Sequence, residues 1–538
     1  MGLRTLGRFL TLRMKVMPSK FASILQPICR NIHGRFWNLL TALFLAVWTQ
    51  LVLFGTGGTE MTDFALGTDY VSAVQSGLLL FVTLLWLIST RIGKWFAFAL
   101  VLILAGISPL YLVTGGALVT AQNIDTLIAT DTAESLSFLS TVPLQHFIAM
   151  FILAAVLLTL LEFFVKPFAV EERRIKKIWG LFVLAAVPLI VMSTPIADIT
   201  VSLVSGKVLA NKESSWHVTG KLDRRSDVKN YVLVIGESLR ADALQLYGNR
   251  YPTSPFLNSV PVKFVGTMVS PCFSTMCAVP LLLALTEEGN FSRAAPENNI
   301  VALAKDAGFQ TYWVSAQGQI GSFEIPISRI AASAEEQHFE SKHDDFGLLP
   351  IVQKILNTPT QAKRLIVVHT YGSHENTCDR VKDFEQTIQT GKEPFFDCYL
   401  ASAHKADTVL RQLADELNAA GEAWSMIFTA DHALEFYRTG AKEELTCCRN
   451  AKHRKQYEVP FVELGFNVRR TVRTSGPKSL ADFPQYFPTW IGVTTNKTPA
   501  GFNIFAPGQE KPQVILPPSK AVPWDSLEEG GSLDALLR

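Results

Sequence analysis

The hydrophobic residues of this 538-residue chain are concentrated before residue 200. Five apolar runs in that region each approach the ~20 residues that a helix needs to cross a ~30 Å hydrocarbon core. Buried helices of a soluble domain rarely produce five nearly charge-free runs in succession. The pattern therefore predicts a membrane domain over 36–195 whose five spans lie at roughly 36–54, 71–90, 95–114, 146–165 and 178–195.

Beyond residue 230 the pattern changes to short apolar runs that alternate with amphipathic stretches, as in an α/β sandwich. We expect this domain to cover 230–505, with strands at 231–235, 311–315, 364–369 and 425–429 and helices at 299–307, 346–357 and 399–419. The preceding segment, 196–229, is interpreted as a connector, either an amphipathic helix on the lipid surface or a solvated linker. The tail, 506–538, is rich in Pro, Gly and Glu and is predicted to be flexible.

The connections between the apolar runs are alternately basic and acidic. The arm 1–35 and the connections at 91–94 and 166–177 are basic, whereas the other two connections carry acids and no Lys or Arg. The positive-inside rule then places the arm in the cytoplasm and everything after the fifth span across the membrane. A cleaved signal peptide is disfavoured, because the arm is too long and no small-residue cleavage site follows. The net charge of only +2 gives no reason to expect a nucleic-acid partner.

Six of the seven cysteines lie beyond the last predicted span. An even number in a translocated domain indicates disulfides, and the pairs Cys272–Cys277 and Cys378–Cys398 are favoured because each would clamp a loop beside a candidate site residue. The partners of the adjacent Cys447 and Cys448 stay open. A thiolate zinc site is the competing interpretation, and the lack of any C-x-x-C pair disfavours it.

The apolar run Tyr231–Ile235 leads through Gly236 directly into Glu237. Such a run predicts a buried strand of a parallel sheet, and ligands of open α/β sheets bind beyond the carboxyl ends of the strands. Glu237 is therefore either a metal-ligating carboxylate at the edge of the sheet or a cap on the next helix. Both interpretations remain open at this point.

Two other predicted strands also end in polar residues. The segment His369-Thr-Tyr-Gly-Ser-His374 closes one, and Asp431-His432 follows another. A single histidine at a strand end is more often an ordinary hydrogen-bonding residue than a ligand. Three such ends on one edge of a sheet would converge, and their mixed nitrogen and oxygen donors suit Zn²⁺.

Ser274 and Thr275 stand where a predicted helix begins, ahead of Val279-Pro280. One interpretation is a simple N-cap. The other is a nucleophilic hydroxyl, because a helix N-terminus stabilises phosphate and a nearby metal would lower the pKa of the hydroxyl. The residues alone do not choose between the two.

The order of these features resembles the phosphoethanolamine transferases of the Gram-negative inner membrane, in the alkaline phosphatase/sulfatase superfamily. The resemblance covers nearly the whole chain and rests on Gly-Glu-Ser-Leu-Arg-Ala-Asp at 236–242, Ser-Thr-x-x-x-Val-Pro at 274–280, Gly-Ser-His at 372–374 and Ala-Asp-His at 430–432. It implies five transmembrane helices followed by an alkaline phosphatase-like domain in the periplasm. It also implies zinc bound by Glu237, Thr275, Asp431 and His432, Thr275 as nucleophile, and substrate contacts from Asn299, His374 and His453.

The resemblance implies two displacements at phosphorus. Thr275 would take phosphoethanolamine from phosphatidylethanolamine, and an envelope acceptor such as lipid A, core sugar or another glycan would then receive it. Two departures from the family pattern bear on the acceptor: Ala433 stands where many members have Gly, and Cys272-Phe-Ser274 replaces Cys-Gly-Thr. The alternatives are a phosphoglycerol transferase of the lipoteichoic acid synthase type and a non-catalytic membrane sensor; a sulfatase is disfavoured because no Cys/Ser-x-Pro-x-Arg surrounds Thr275.

Overall fold

A computed structural model of the protein describes most of the chain. The described residues are 36–54, 68–88, 91–114, 139, 142–165, 212–222, 227–317, 326–340, 342–374, 377–385, 388–392, 394–439, 444–448, 452–516 and 520–536. They fall into two units, one within 36–165 and the other within 212–536.

The first unit consists of apolar helices. Their bounds are α1 Phe36–Thr49, α2 Thr68–Ile88, α3 Arg91–Thr114 and α4 Leu144–Phe163, and α1 continues into a π-helical turn, Gln50–Phe54. Within the described residues, three segments are long and apolar enough to cross a membrane: Phe36–Leu53, Gly93–Tyr111 and Leu144–Phe163. The prediction of five spans is therefore not confirmed. The second predicted span coincides with α2, and the fifth, 178–195, lies outside the described residues.

Small and aliphatic side chains hold these helices together. Ala42, Leu45 and Leu104 are fully buried, and the indole Nε1 of Trp48 donates to Ser108 Oγ at 2.9 Å. The outward faces carry large apolar side chains, among them Trp95, Ile103, Phe151 and Ile152. Apolar side chains that point outward are favourable in a lipid environment and costly in water, so the unit is built for a membrane.

The second unit is an α/β domain. Its strands are β1 Val218–Lys221, β2 Asn230–Gly236, β3 Val262–Val265, β4 Met268–Val269, β5 Ala284–Glu287, β6 Asn290–Asn299, β7 Gln310–Ser315, β8 Glu336–Phe339, β9 Arg364–His369, β10 Trp424–Ala430, β11 Glu435–Thr439, β12 Glu444–Cys448, β13 Glu458–Val459, β14 Phe461–Gly465, β15 Val472–Thr474, β16 Lys478–Ser479, β17 Val493–Thr495, β18 Gln513–Leu516 and β19 Lys520–Pro523. Its helices are α5 Pro255–Ser259, α6 Thr275–Leu283, α7 Ile300–Asp306, α8 Pro326–Ala332, α9 Leu348–Leu356, α10 Thr377–Arg380, α11 Pro394–Ala419, α12 Phe483–Ile491 and α13 Leu533–Leu536.

An eight-stranded sheet organises this domain in the order β15-β3-β14-β10-β2-β9-β7-β8. The run from β10 to β8 is parallel, and β14 is antiparallel to both β10 and β3. Every residue of β2 and β9 is buried, as expected for parallel strands covered on both faces. In register, Gly236 lies beside Ala430 and Ile235 beside His369. The carboxyl ends of β2, β9 and β10 therefore meet at one edge.

The four predicted strands and three predicted helices all form, within a few residues of their expected bounds. The described parts of the connector, 212–222 and 227–229, belong to the α/β unit. Strand β1 pairs with β17, the Ser215 amide donates to Asn298 Oδ1 at 2.9 Å, and the Lys229 amide donates to the Ala423 carbonyl at 2.8 Å. Both favoured disulfides, Cys272–Cys277 and Cys378–Cys398, are present. The side chains of Cys447 and Cys448 lie outside the described residues.

The prediction of a flexible tail is wrong. Strands β18 and β19 pair with each other, and Val514, Ile515 and Leu533 are buried. Polar contacts add to this packing, since Arg240 Nη2 donates to the Gly531 carbonyl at 2.9 Å and the Leu533 amide donates to Asp242 at 3.0 Å. The tail therefore stabilises the loop that follows β2.

The predicted orientation can be tested with reporter fusions. A periplasm-active reporter fused after residue 200 should be active, and one fused within 166–177 should be silent, because the basic connections favour the cytoplasm. Reporter activity in growing cells measures both, and a cytoplasm-active reporter should give the reverse pattern. Activity of the periplasmic reporter at 166–177 alone would overturn the orientation.

Candidate metal and nucleophile site

Glu237 is held immediately beyond the end of β2. The following residue, Ser238, has φ 57°, so the chain turns sharply there and Ser238 Oγ donates to Glu237 Oε1 at 2.6 Å. Gly372 packs against this turn: a Cβ at that position would lie 2.9 Å from the Glu237 amide nitrogen. Only glycine allows this close approach at its φ of 45°. The Glu237 carboxylate is 1% exposed.

Asp431 and His432 follow the neighbouring strand β10. The His432 Nδ1 atom lies 3.1 Å from the Ala433 carbonyl, which favours a proton on Nδ1 and leaves Nε2 with its lone pair. That Nε2 atom is 3.3 Å from Glu237 Oε1 and 3.7 Å from Asp431 Oδ2. Asp431 Oδ1 accepts the amides of Ser238 and His432 at 3.1 and 2.7 Å. The structure therefore brings the predicted acid and Asp-His pair together.

These three residues fit a zinc ion. Their ligand atoms all lie within 4.8 Å of one another, and all three side chains are buried. Asp431 Oδ2 is buried and has no hydrogen-bond partner within the described part of the chain. A buried carboxylate oxygen without a donor is costly unless a cation completes its environment. Two carboxylates and one imidazole are a donor set that Zn²⁺ accepts.

The electrostatics of the cluster also favour a cation. Burial opposes ionisation of Glu237, but when the His432 ring is protonated on both nitrogens, its hydrogen bond and its charge hold the pKa of the Glu237 carboxyl well below the usual value. Burial raises the pKa of Asp431 to about 7, and the charge of Glu237 adds to the rise. A bound divalent cation would stabilise both ionised carboxylates at once.

Thr275 is the first residue of α6 and reaches into the same cluster. Its Oγ1 donates to Glu237 Oε2 at 2.9 Å and lies 3.4 Å from His432 Nε2. The preceding residue, Ser274, is the N-cap and makes no capping side-chain hydrogen bond. The hydroxyl of Thr275 is thus in direct contact with the cluster. The Cys272–Cys277 disulfide brackets this helix start.

His374 lies on the loop after β9, where its charge is close enough to lower the pKa of Glu237. The Asp345 carboxylate holds this loop by accepting the amides of Tyr371 and Gly372 at 2.6 and 3.1 Å. The rings of Tyr371 and His374 stack at 5.1 Å with an interplanar angle of 15°. His374 is therefore placed beside the cluster and oriented by its neighbours.

The other two predicted substrate residues have different surroundings. His453 lies between two carboxylates: Nδ1 contacts Glu435, and Nε2 is 3.2 Å from Glu528 of the tail. Asn299 caps α7, with Oδ1 accepting the Ala302 amide at 2.8 Å. The Asn299 amide group donates to Pro296 and Ser333. These contacts give Asn299 a structural task, and its substrate role stays a prediction.

The run Tyr312–Gln317 resembles the family's strand and loop at this place, but Gln317 was not predicted as a site residue. Its Nε2 donates to Glu237 Oε2 at 2.8 Å and to the Thr370 carbonyl at 3.1 Å. It follows β7, which is adjacent to β9 in the sheet, so its position at the same edge was an available signal. The amide of Gln317 and the hydroxyl of Ser238 hold opposite oxygens of the Glu237 carboxylate.

Comparison with known proteins places this geometry in context. A sequence model of the family described as Sulfatase matches residues 229–494. The chain is similar to phosphoethanolamine transferase OpgE of Escherichia coli (strain K12), with 31% identity over 293 residues that cover 53% of this chain and 54% of OpgE. The similarity spans about half the length of this curated relative.

Solved structures share the fold. Lipooligosaccharide phosphoethanolamine transferase A (EptA) of Neisseria meningitidis, an integral membrane protein, matches with a TM-score of 0.55 and 14% identity, covering 86% of this chain and 97% of that one. The periplasmic domain of EptC from Escherichia coli, in complex with Zn, matches with a TM-score of 0.50 and 18% identity, covering 59% and 99%. The likeness in fold to EptA thus extends over most of this chain, and the likeness to the EptC periplasmic domain covers about three fifths of it.

Proposed function

Residues 229–494 form a domain of the sulfatase family, and on this basis we propose a function for the whole protein. We propose that it transfers phosphoethanolamine from phosphatidylethanolamine to an acceptor in the bacterial envelope. Relatives of the chain, such as OpgE, bear the name phosphoethanolamine transferase. The apolar helices support an inner-membrane location, which brings the enzyme to a lipid donor. The acceptor belongs to the class of lipid A and other envelope glycans.

One observation carries the proposal. The hydroxyl of Thr275 stands at the start of a nine-residue helix and is also hydrogen-bonded to Glu237, a member of the candidate metal cluster. A helix N-terminus stabilises phosphate, and a hydroxyl beside a metal site is a ready nucleophile. A binding protein without catalysis would need no hydroxyl at this point.

Zinc would be held by Glu237, Asp431, His432 and Thr275, and would lower the pKa of the Thr275 hydroxyl and offset phosphate charge. In the first displacement, Thr275 Oγ1 bonds to phosphorus, the bond to the glycerol oxygen breaks, and diacylglycerol leaves with a proton. The Thr275 proton is directed at Glu237 Oε2 in the structure. In the second displacement an acceptor hydroxyl oxygen bonds to phosphorus and gives up its proton, the bond from phosphorus to Thr275 Oγ1 breaks, and the Thr275 oxygen takes up a proton, which restores the starting hydroxyl. His374 stands beside the cluster to contact the phosphate or to move a proton.

Analysis of envelope glycolipids by mass spectrometry tests the proposed function. Cells that contain the protein should carry glycolipids or glycans with an added phosphoethanolamine group, and cells without it should lack that species. Restoring the wild-type chain should restore the modification. An envelope of identical composition in both strains, under conditions where the protein is made, would contradict the proposal.

Gln317 should act as a positioning residue for Glu237. Because its amide holds Oε2 in place, Gln317→Ala should lower zinc affinity and transfer rate by about 10- to 100-fold, and Gln317→Asn should fall in between. Competition with a zinc chelator measures the affinity directly. Gln353→Ala, which removes a contact to Glu416 on the exposed surface, is the matched control. Unchanged zinc affinity in Gln317→Ala would exclude this role.

A further inference from the structure

We propose that Arg380 forms a second anion subsite, which binds a phosphate group of the acceptor beside the reacting centre. The proposal rests on the proposed function, since it assigns a recognition residue for the second substrate. Arg380 is the last residue of α10, the short helix that follows the loop carrying His374.

The guanidinium of Arg380 lies over the ring of Tyr371, with 4.1 Å between Cζ and the ring centroid. Tyr371 in turn stacks on His374. Two ring contacts therefore link Arg380 to His374, and none of its contacts among the described residues is to Glu237, Thr275 or the Asp431-His432 pair. In the proposal, the anion that Arg380 holds is a group other than the one being transferred.

Among the described residues, Arg380 has few of the partners that normally satisfy an arginine. Its Nε atom is buried without a hydrogen-bond partner, and no carboxylate among the described residues forms an ion pair with it. Its neighbour Asp379 pairs with Lys382 at 2.7 Å instead. The contact from Nη2 to the Tyr371 hydroxyl is long, at 3.4 Å. A half-buried guanidinium with unused donors is suited to a phosphate, which accepts two parallel hydrogen bonds from it.

The surroundings hold Arg380 in place before any ligand arrives. The disulfide Cys378–Cys398 ties α10 to α11, and Lys405 Nζ donates to the Arg380 carbonyl at 2.9 Å. Stacking on Tyr371 limits the rotation of the guanidinium plane. A group fixed in this way loses little conformational entropy on binding, so its hydrogen bonds contribute more fully to affinity.

The two half-reactions separate acceptor recognition from chemistry. For the full-length Arg380→Gln protein in detergent, formation of the threonine adduct from phosphatidylethanolamine should stay within about 2-fold of wild type. With lipid A as the acceptor probe, the KM of Arg380→Gln for lipid A should be about 10- to 100-fold higher than that of wild type, while kcat changes little. This is the effect expected for the loss of a charge-assisted hydrogen bond. With dephosphorylated lipid A, variant and wild type should have the same KM. Arg380→Lys should fall in between.

Arg411→Gln, on an exposed turn of α11, is the control and should behave as wild type. Equal loss of adduct formation and transfer in Arg380→Gln would overturn the proposal, as would an unchanged KM for lipid A. If the wild-type protein formed no adduct, the proposed function would fail instead. Calorimetry with inorganic phosphate then still tests the subsite. Weaker phosphate binding by Arg380→Gln than by Arg411→Gln would support the subsite, and equal binding would exclude it.

Discussion

Replacing Thr275 with alanine should abolish phosphoethanolamine transfer, with a loss of at least roughly 10³-fold, since the variant lacks the atom that bonds to phosphorus. Thr275→Ser should keep part of the activity, because the hydroxyl survives while the methyl group that limits its rotation is lost. Zinc content should remain close to wild type in Thr275→Ala, since Glu237, Asp431 and His432 are unchanged. Turnover of phosphatidylethanolamine by the purified full-length protein measures the effect.

Ser274→Ala is the matched control for this prediction. Ser274 precedes Thr275 at the start of the same helix, and in the proposed mechanism its hydroxyl is not the one that bonds to phosphorus, so the variant should keep most of the activity. Thermal unfolding of both variants shows whether the fold is preserved. Full activity in Thr275→Ala, or loss confined to Ser274→Ala, would mean that the nucleophile has been assigned to the wrong residue.

Loss of a metal ligand should have the second largest effect. His432→Gln keeps a side chain of similar length but removes the imidazole Nε2 that lies 3.3 Å from Glu237. We expect zinc affinity to fall at least roughly 100-fold and transfer to become undetectable at ordinary zinc concentrations. Atomic absorption of the purified protein gives the metal content, and activity is measured before and after chelation.

Chelation of the wild-type protein should reproduce the His432→Gln effect, and added zinc should reverse it. His338→Gln is a suitable control, because His338 lies on β8 at the edge of the same sheet and pairs with Glu336. A chelated wild-type protein that kept its full rate would show that the cluster does not need a metal for transfer. In that case the burial of Asp431 Oδ2 without a hydrogen-bond partner among the described residues would require another explanation.

Much of the α/β domain could be predicted because its strands are short apolar runs that end in polar residues. The run Tyr231–Ile235 became a buried central strand, and Glu237, Asp431 and His432 met at its edge because parallel strands align their carboxyl ends. The resemblance to phosphoethanolamine transferases that these motifs indicated is confirmed. The helix start at Thr275 was predicted too, although only the structure separates its hydroxyl from that of Ser274.

Other features leave no periodic signal in the sequence. The tail is anchored by the adjacent Val514 and Ile515 and by Leu533, which are too few buried apolar positions to form a pattern, while its Pro and Gly content is typical of flexible segments. Gln317 is a polar residue after a strand, and only the three-dimensional neighbourhood of Glu237 distinguishes it from others. The contact of the Asn299 amide group with Ser333 likewise joins residues that are distant in sequence.

The covalent mechanism is tested by the mass of the intact protein after incubation with phosphatidylethanolamine and no acceptor. The protein should gain the mass of one phosphoethanolamine group, which peptide fragmentation should map to Thr275 and which should be lost when an acceptor is added. The adduct should be missing from Thr275→Ala and present in Ser274→Ala. No adduct at any residue, together with full transfer activity in Thr275→Ala, would contradict the covalent mechanism.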